Sequence, residues 1–209
     1  MELDHVLIAV TDLAAAASEI HDRYGLASVE GGRHPGWGTA NRIVPLGDAY
    51  LELIAVVDEG EAAQSPFGGW VSAEPPTPIR LLGWAVRTQD LDTVARRLEL
   101  PIGTGSRAGR DCTLLTWRFA GVDQAIAEPS LPFFIEWGRG TRFPGRAPAA
   151  HREGPVGVAR LELRGDAERL AVWLGSHRLP VTISPGASAV TRIVLAGAAG
   201  EIALSETGS

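Results

Sequence analysis

Two glutamates stand inside otherwise apolar stretches of this 209-residue chain, Glu52 within residues 50–56 and Glu136 within residues 133–137. Both stretches are typical of β-strands, in which alternate side chains share a face, so Glu52 shares a face with Tyr50. A buried carboxylate without a cation, a proton or water is strongly disfavoured. The two glutamates either face solvent on half-exposed strands or serve a site. Their equivalent placement in two similar segments favours the site.

His5 is the third residue that could take part in chemistry. Alternation places it on one strand face with Leu3 and Leu7, and places Val6 and Ile8 on the opposite face, where a helix is expected to pack. A lone histidine there is more often a hydrogen-bonded core residue than a ligand. One imidazole with two carboxylates, however, suits Zn²⁺, Mn²⁺, Fe²⁺ or Ni²⁺. We therefore predict that His5, Glu52 and Glu136 converge on one concave face as metal ligands.

The segment 34–41 offers polar groups that could contact a substrate. Its Gly-Trp-Gly core is too short for a dinucleotide fingerprint and has no strand-turn-helix context, which argues against nucleotide binding. The predicted substrate contacts are His34, Trp37, Thr39 and Asn41, with Trp37 as a flat apolar wall. The alternative is that Thr39 and Asn41 only tie down the loop.

Arg87 is a further predicted substrate-binding residue. Alternation places it on the same strand face as Gly83 and Ala85. If no metal is bound, we expect one of Glu52 and Glu136 to hold a proton or to pair with an arginine such as Arg87.

The elements that must position these residues follow a repeat. An alternating strand, an aspartate and an amphipathic helix occur three times, with Asp12, Asp90 and Asp166 as predicted helix N-caps. Short strand candidates follow each helix, so each unit is interpreted as βαβββ. The predicted units are 1–57, 79–138 and a smaller 155–209, joined by a Pro-rich connection at 58–78 and an Arg/Pro/Gly loop at 139–154, in one compact domain.

Composition excludes several classes of function. All 19 basic residues are arginine, so a pyridoxal-phosphate lysine and a P-loop are excluded. The net charge of −6 with scattered arginines argues against nucleic acid as a partner. Cys112 is the single cysteine, which excludes an intramolecular disulfide. Without an apolar run long enough for a membrane span or a signal peptide, we expect a cytoplasmic protein that does not bind membranes.

Three stretches resemble the vicinal oxygen chelate superfamily, and more narrowly its glyoxalase-like domain proteins. They are Asp4-His5-Val6 leading into Val10-Thr11-Asp12-Leu13, residues 32–41 followed by residues 46–54, and Leu131-Pro132-Phe133-Phe134-Ile135-Glu136-Trp137. The resemblance implies an α+β fold in which paired βαβββ units form a cupped mixed sheet, with the third unit appended. It also implies one ligand from the first strand and one glutamate from the last strand of each unit. His5, Glu52 and Glu136 match these positions, whereas Gly83 stands at the fourth.

The resemblance implies a divalent-metal enzyme of the lyase, isomerase or dioxygenase type that acts on a small oxygen-bearing substrate. Glu136 is then either a ligand or the catalytic base. The alternative is a metal-free protein that binds or sequesters a small molecule, as bleomycin-resistance proteins do, and Gly83 favours it. We expect the C-terminal unit to close the sheet or to form a homodimer contact.

Overall fold

The computed structural model describes residues 1–73, 79–108, 114–152 and 154–205. Cys112 lies outside the described residues. The first unit contains β1 (Glu2–Val10), α1 (Leu13–Tyr24), β2 (Val29–His34), β3 (Thr39–Pro45) and β4 (Tyr50–Val56). The short helices α2 (Glu59–Ala62) and α3 (Pro66–Ser72) follow it. The second contains β5 (Ile79–Arg87), α4 (Leu91–Leu98), β6 (Ile102–Ala108), β7 (Leu114–Ala120), α5 (Val122–Ala127) and β8 (Phe133–Trp137).

The third unit follows a 3₁₀ turn at Pro144–Arg146. It contains β9 (Gly157–Arg164), α6 (Ala167–Leu174), β10 (Val181–Ser184), β11 (Ala189–Gly197) and β12 (Gly200–Ser205). The three aspartates begin helices as predicted, since the carboxylates of Asp12, Asp90 and Asp166 each accept hydrogen bonds from first-turn backbone N–H groups. Within the described residues, no helix is long and apolar enough to cross a membrane.

Eight strands form one curved mixed sheet in the order β2-β3-β4-β1-β5-β8-β7-β6. The terminal strands β2 and β6 lie close together. A Cβ atom built on Gly32 of β2 would lie 2.7 Å from the carbonyl oxygen of Ala108 of β6. The sheet is therefore nearly closed into a cup. Together with a second sheet of four strands, β10-β9-β11-β12, this confirms the predicted α+β fold.

The two faces of the cup have separate cores. Helices α1, α4 and α6 and the four-stranded sheet cover the convex face, where Val6, Ile8 and Phe134 are buried. The concave face carries a smaller apolar cluster that includes Leu7, Ile54 and aromatic side chains. Side chains that point into the cup are thus held between aromatic residues rather than exposed to bulk water.

The segment predicted as a Pro-rich connection contains α2 and α3, which close part of the cup. Phe67, Trp70 and Val71 of α3 are buried in the concave cluster. The Glu61 carboxylate of α2 accepts hydrogen bonds from the backbone N–H groups of Gly36 (2.6 Å) and Gly38 (3.0 Å). These contacts fix the β2–β3 turn against the helices.

Candidate active site

A β-bulge in β1 brings Asp4 and His5 together. Leu3 pairs with Val86 of β5 and His5 pairs with Ala85, which leaves Asp4 without a pairing partner. Two consecutive side chains therefore contact each other, and Asp4 Oδ1 lies 2.7 Å from His5 Nδ1. The buried Asp4 carboxylate also accepts from Trp137 Nε1 at 2.9 Å through its other oxygen.

Glu52 lies on the other side of the His5 ring. Parallel pairing of β1 with β4 sets His5 beside Tyr50, whose ring stacks on the imidazole with centroids 4.7 Å apart. Glu52 Oε2 lies 3.5 Å from His5 Nε2. Asp4, His5 and Glu52 form a buried row of three side chains in which a carboxylate faces each nitrogen of the His5 ring.

Asn41 connects Glu52 to the second histidine of the cup. Its side-chain amide donates to Glu52 Oε1 at 2.7 Å and lies 3.3 Å from His34 Nε2, and its Oδ1 accepts from the Gly32 N–H. His34 Nδ1 lies 3.0 Å from Thr39 Oγ1. The arrangement fits a neutral His34 that accepts from Asn41 and donates to Thr39.

Burial sets the charge states in this network. Desolvation lowers the pKa of His34 to about 4, although the Glu52 carboxylate opposes that shift. Burial also raises the pKa of Tyr50 well above its usual value, aided by the charges of Asp4 and Glu52. At neutral pH, His34 is an uncharged hydrogen-bonding group and Tyr50 is a neutral phenol.

A small buried space and a large open cleft meet at three tryptophans. The buried space, here called the cup cavity, has a volume of about 40 Å³, and its polar lining is His5, His34, Asn41, Tyr50, Glu52 and Arg107. The open cleft has a volume of about 1630 Å³. Both are lined by His34 and by Trp37, Trp117 and Trp137, here called the tryptophan wall. The tryptophan wall and His34 therefore separate the cleft from the cavity that His5 lines.

Arg87 lies at the rim of the cup rather than in its cavity. Its guanidinium donates to Asp4 Oδ2 at 3.3 Å, pairs with Glu2, and lies over the Phe143 ring at 4.1 Å from the centroid. The cleft is lined by Arg87 as well. Its contact with Asp4 places it behind the Asp4–His5 pair.

Glu136 is not brought to His5 and Glu52. In β8 the side chains of Phe133 and Ile135 belong to the concave cluster, whereas Phe134 is buried in the convex core. Glu136 lies on the same strand face as Phe134, and its carboxylate pairs with Arg118 at 2.8 Å. Glu136 and Glu52 therefore do not share the cup, and the arginine that pairs with Glu136 is Arg118 rather than Arg87.

Comparison with known proteins identifies the family. A model of the glyoxalase-like domain matches residues 3–178. The chain belongs to the glyoxalase-like domain family. This finding confirms the resemblance to the vicinal oxygen chelate superfamily that the sequence predicts.

One solved structure shares the fold along most of the chain. A crystal structure of a hypothetical protein from Staphylococcus aureus matches with a TM-score of 0.66 at 13% identity, covering 94% of this chain and 91% of that one. Methylmalonyl-CoA epimerase from Mycobacterium tuberculosis matches with a TM-score of 0.45 at 25% identity, covering 65% and 85%. A comparison with curated proteins gave no match. The match to the Staphylococcus aureus protein extends the shared fold to the C-terminal unit.

The metal set that family resemblance implies does not fit this glyoxalase-like domain. A Cβ atom on Gly83 would lie 2.5 Å from Trp70 Cη2, so an indole occupies the position of the missing fourth ligand. Glu136 lies on the other face of the sheet. Among the described residues, no three His, Cys, Asp or Glu side chains are grouped closely enough to hold a metal ion. His5 and Glu52 remain as half of the implied set.

The sequence interpretation missed Arg107, whose side chain lines the cup cavity. The signal that could have found it is the alternation Gly103, Gly105, Arg107, which puts two residues without side chains and then an arginine on one face of a strand.

Proposed function

We propose that the protein binds a small oxygen-bearing organic molecule in the cup and transfers a proton on it, with His5 as the acid–base group. The observation that carries the proposal is the buried chain of Asp4, His5 and Glu52. Asp4 holds Nδ1–H of the ring, which leaves Nε2 directed at the cavity. The 3.5 Å between Nε2 and Glu52 is long for a hydrogen bond and leaves His5 available to a ligand.

His5 is favoured over His34 because the two rings have different surroundings. The lowered pKa of His34, about 4, keeps it neutral, and Thr39 and Asn41 occupy its ring nitrogens. When His5 takes a proton from carbon, Asp4 and Glu52 are placed to stabilise the imidazolium from both sides. His34 is therefore assigned a supporting hydrogen-bonding role and His5 the proton transfer.

We propose this activity without a chelated divalent ion, because Trp70 covers Gly83 and Glu136 faces Arg118. Of the reaction types that the resemblance implies, isomerase and lyase chemistry need only proton transfer, whereas dioxygenase chemistry needs a redox metal. We expect well under one zinc, manganese, iron or nickel ion per chain in untagged protein purified without chelator. The homodimer and the cytoplasmic location remain predictions.

The second candidate function is binding or sequestration without chemistry. The tryptophan wall favours it, since Trp37, Trp117 and Trp137 present aromatic surface between the cup cavity and the cleft. In this case the side chains of Asp4, His5 and Glu52 only orient the ligand.

Proton exchange with solvent separates the two candidates. We would incubate the protein in D₂O with pyruvate, hydroxyacetone and methylmalonate, and follow loss of the carbon-bound proton by NMR. Wild-type protein is expected to catalyse exchange on at least one of them, and His5→Gln to lose about 10²- to 10⁴-fold of that rate. Asp4→Asn tests the orienting carboxylate and is expected to slow exchange as well.

The exposed His21 provides the matched control, because His21→Gln removes an imidazole of α1, which covers the convex face. An unchanged exchange rate in His5→Gln would contradict the proposal. Binding of a compound, detected as a rise in Tm, without exchange would support sequestration instead.

A further inference from the structure

Arg107 is an unusual residue for its strand. Of the seven described residues of β6, it alone is buried, with 6% of its surface exposed. It pairs with Leu115 of β7, two positions along from Gly105, which pairs with Trp117. Arg107 therefore points to the concave face, and its side chain lines the cup cavity with His5 and Glu52.

The Arg107 guanidinium has no partner within the described part of the chain. No hydrogen bond or ion pair among those residues ends on it, whereas the arginines Arg87, Arg118 and Arg169 are each paired with carboxylates. Glu52, the carboxylate that lines the same cavity, already accepts a hydrogen bond from Asn41. A buried cation without a partner is costly, so its retention inside a cavity indicates a ligand that supplies the counter-charge.

We infer that the cup binds small organic carboxylates and that Arg107 is the residue that recognises their anionic group. This inference rests on the proposed function and narrows its substrate class. A guanidinium is planar and presents its N–H groups in a fork that matches a carboxylate, and it stays charged at every relevant pH. His5 lines the same cavity, so a carboxylate held by Arg107 sets the neighbouring carbon beside the proposed acid–base group.

The size of the cavity limits the ligand. A volume of about 40 Å³ is a few times the roughly 10–15 Å³ that a cavity needs to hold one water molecule, so it admits about one carboxylate group. The rest of the molecule must lie towards the cleft, against the tryptophan wall. The inferred ligand is a short-chain acid that binds with its carboxylate inwards and its remainder between aromatic rings.

Binding of matched acids and amides tests the inference. The probes are propionate and malonate against propionamide and malonamide, measured by calorimetry and by the rise in Tm of the full chain. We expect an acid to bind and to raise Tm, and the corresponding amide to do neither. Arg107→Gln is expected to weaken binding of the acid at least tenfold. Arg178→Gln removes an exposed arginine between α6 and β10, outside the lining of both the cup cavity and the cleft, and is expected to change binding of the acid less than twofold.

The ligand-free proteins provide a second readout. Arg107→Gln is expected to keep or raise the Tm of the wild type, because it removes an unpartnered buried charge. A large fall in Tm would mean that Arg107 is a structural residue and would overturn the inference, as would equal binding of acids and amides. Arg107→Lys keeps the charge without the fork, and it is expected to fold and to bind the acid more weakly than the wild type. If Arg107→Lys bound the acid as tightly as the wild type, recognition would need only the positive charge and not the forked geometry of the guanidinium.

The two proposals fail separately. Binding of acids that depends on Arg107, without solvent exchange at carbon, would keep the carboxylate site and reject proton transfer by His5. Exchange on hydroxyacetone that depends on His5, with no preference for acids in either assay, would keep the proton transfer and reject the carboxylate site.

Discussion

His5 and His34 line one cavity, yet their neighbours give them different roles. His34 is bound on both ring nitrogens, and burial keeps it neutral. His5 is bound on one side by Asp4 and is separated from Glu52 by a longer distance. The proposed distinction between a supporting histidine and an acid–base histidine therefore depends on partners contributed by β1, β3 and β4.

The lowered pKa of His34 predicts how stability depends on pH. Its pKa is about 4 in the folded protein and 6.5 in the unfolded chain, so the unfolded state binds more protons between these values. The contribution of neutral His34 to the free energy of unfolding is complete above pH 6.5 and is lost as the pH falls towards 4. At 1.36 kcal/mol per pKa unit, the loss amounts to about 3 kcal/mol. Urea unfolding of the wild type and of His34→Gln at pH 7.5, 5.5 and 4.5 measures this loss of stability.

The free energy of unfolding of His34→Gln is expected to fall less steeply with acidification than that of the wild type. The control is His21→Gln, which should follow the wild type because His21 is exposed. Parallel curves for the wild type and His34→Gln would contradict the assignment of a neutral, buried imidazole.

Alternation in the sequence predicted the direction of His5 correctly but misplaced Leu3. The sequence places Leu3 on the face of His5, whereas the structure buries Leu3 in the convex core. The bulge at Asp4 is the cause, because one extra residue in the strand moves every side chain before it to the opposite face of the sheet. No residue type in β1 marks the bulge, so the sequence alone could not reveal the Asp4–His5 contact.

At the scale of elements, α3 determines what the cup can contain. Trp70 lies against Gly83 of β5 and fills the side of the cup where the family resemblance implied a further ligand. Gly83 pairs with Leu7 of β1, whereas His5 pairs with Ala85. An imidazole introduced at position 83 would meet the indole before it reached His5.

Gly83→Ala is therefore expected to destabilise the protein by about 1–3 kcal/mol, the usual range for overpacking a core. The new Cβ atom would lie 2.5 Å from Trp70 Cη2, and the large ring has little freedom to withdraw. Denaturant unfolding of Gly83→Ala, Trp70→Leu and the double variant measures the coupling, and the double variant should recover part of the loss.

Gly69 of the same helix supplies the control. It is exposed, and a Cβ atom there would meet nothing within 4 Å, so Gly69→Ala should be neutral or stabilising by up to about 1 kcal/mol. Equal effects of alanine at positions 69 and 83 would show that Trp70 does not restrict the cup.

Strand β8 shows why the direction of Glu136 could not be predicted. Both faces of this strand are covered, one by the cup and one by the convex core, so Phe133 and Phe134 are apolar alike. Hydrophobic alternation gives a direction only where one face is polar. Arg118 of β7, which pairs with Glu136, is the partner that distinguishes the faces, and it is distant in sequence.

At the scale of the whole molecule, the two sheets share one core. Leu161, Ile193 and Leu195 of the second sheet are buried in the same cluster as Val6 and Val86 of the cup. Trp173 of α6 donates from Nε1 to the Pro132 carbonyl at 2.8 Å, beside the strand that carries Phe134. The repeat of strand, aspartate and helix predicted the third unit, but only these long-range contacts show where it packs.

A shared core predicts one cooperative unfolding transition. Far-UV circular dichroism and tryptophan fluorescence should give coincident urea curves. Trp173→Ala should shift both to lower urea, with a loss of about 3–5 kcal/mol that is typical of a buried tryptophan. The matched control is Val172→Ala, since Val172 is exposed and should have little effect. Two separate transitions would mean that the C-terminal unit is an independent domain.

The bulge at Asp4 makes chain length a determinant of the site. Removing that one residue would let Leu3 and His5 pair in regular succession with Val86 and Ala85. The strand would lose the carboxylate behind the imidazole without any other substitution. Among relatives, gain or loss of this hydrogen-bonded Asp–His pair can therefore occur by insertion or deletion of a single codon, and an alignment without gaps in β1 would not detect it.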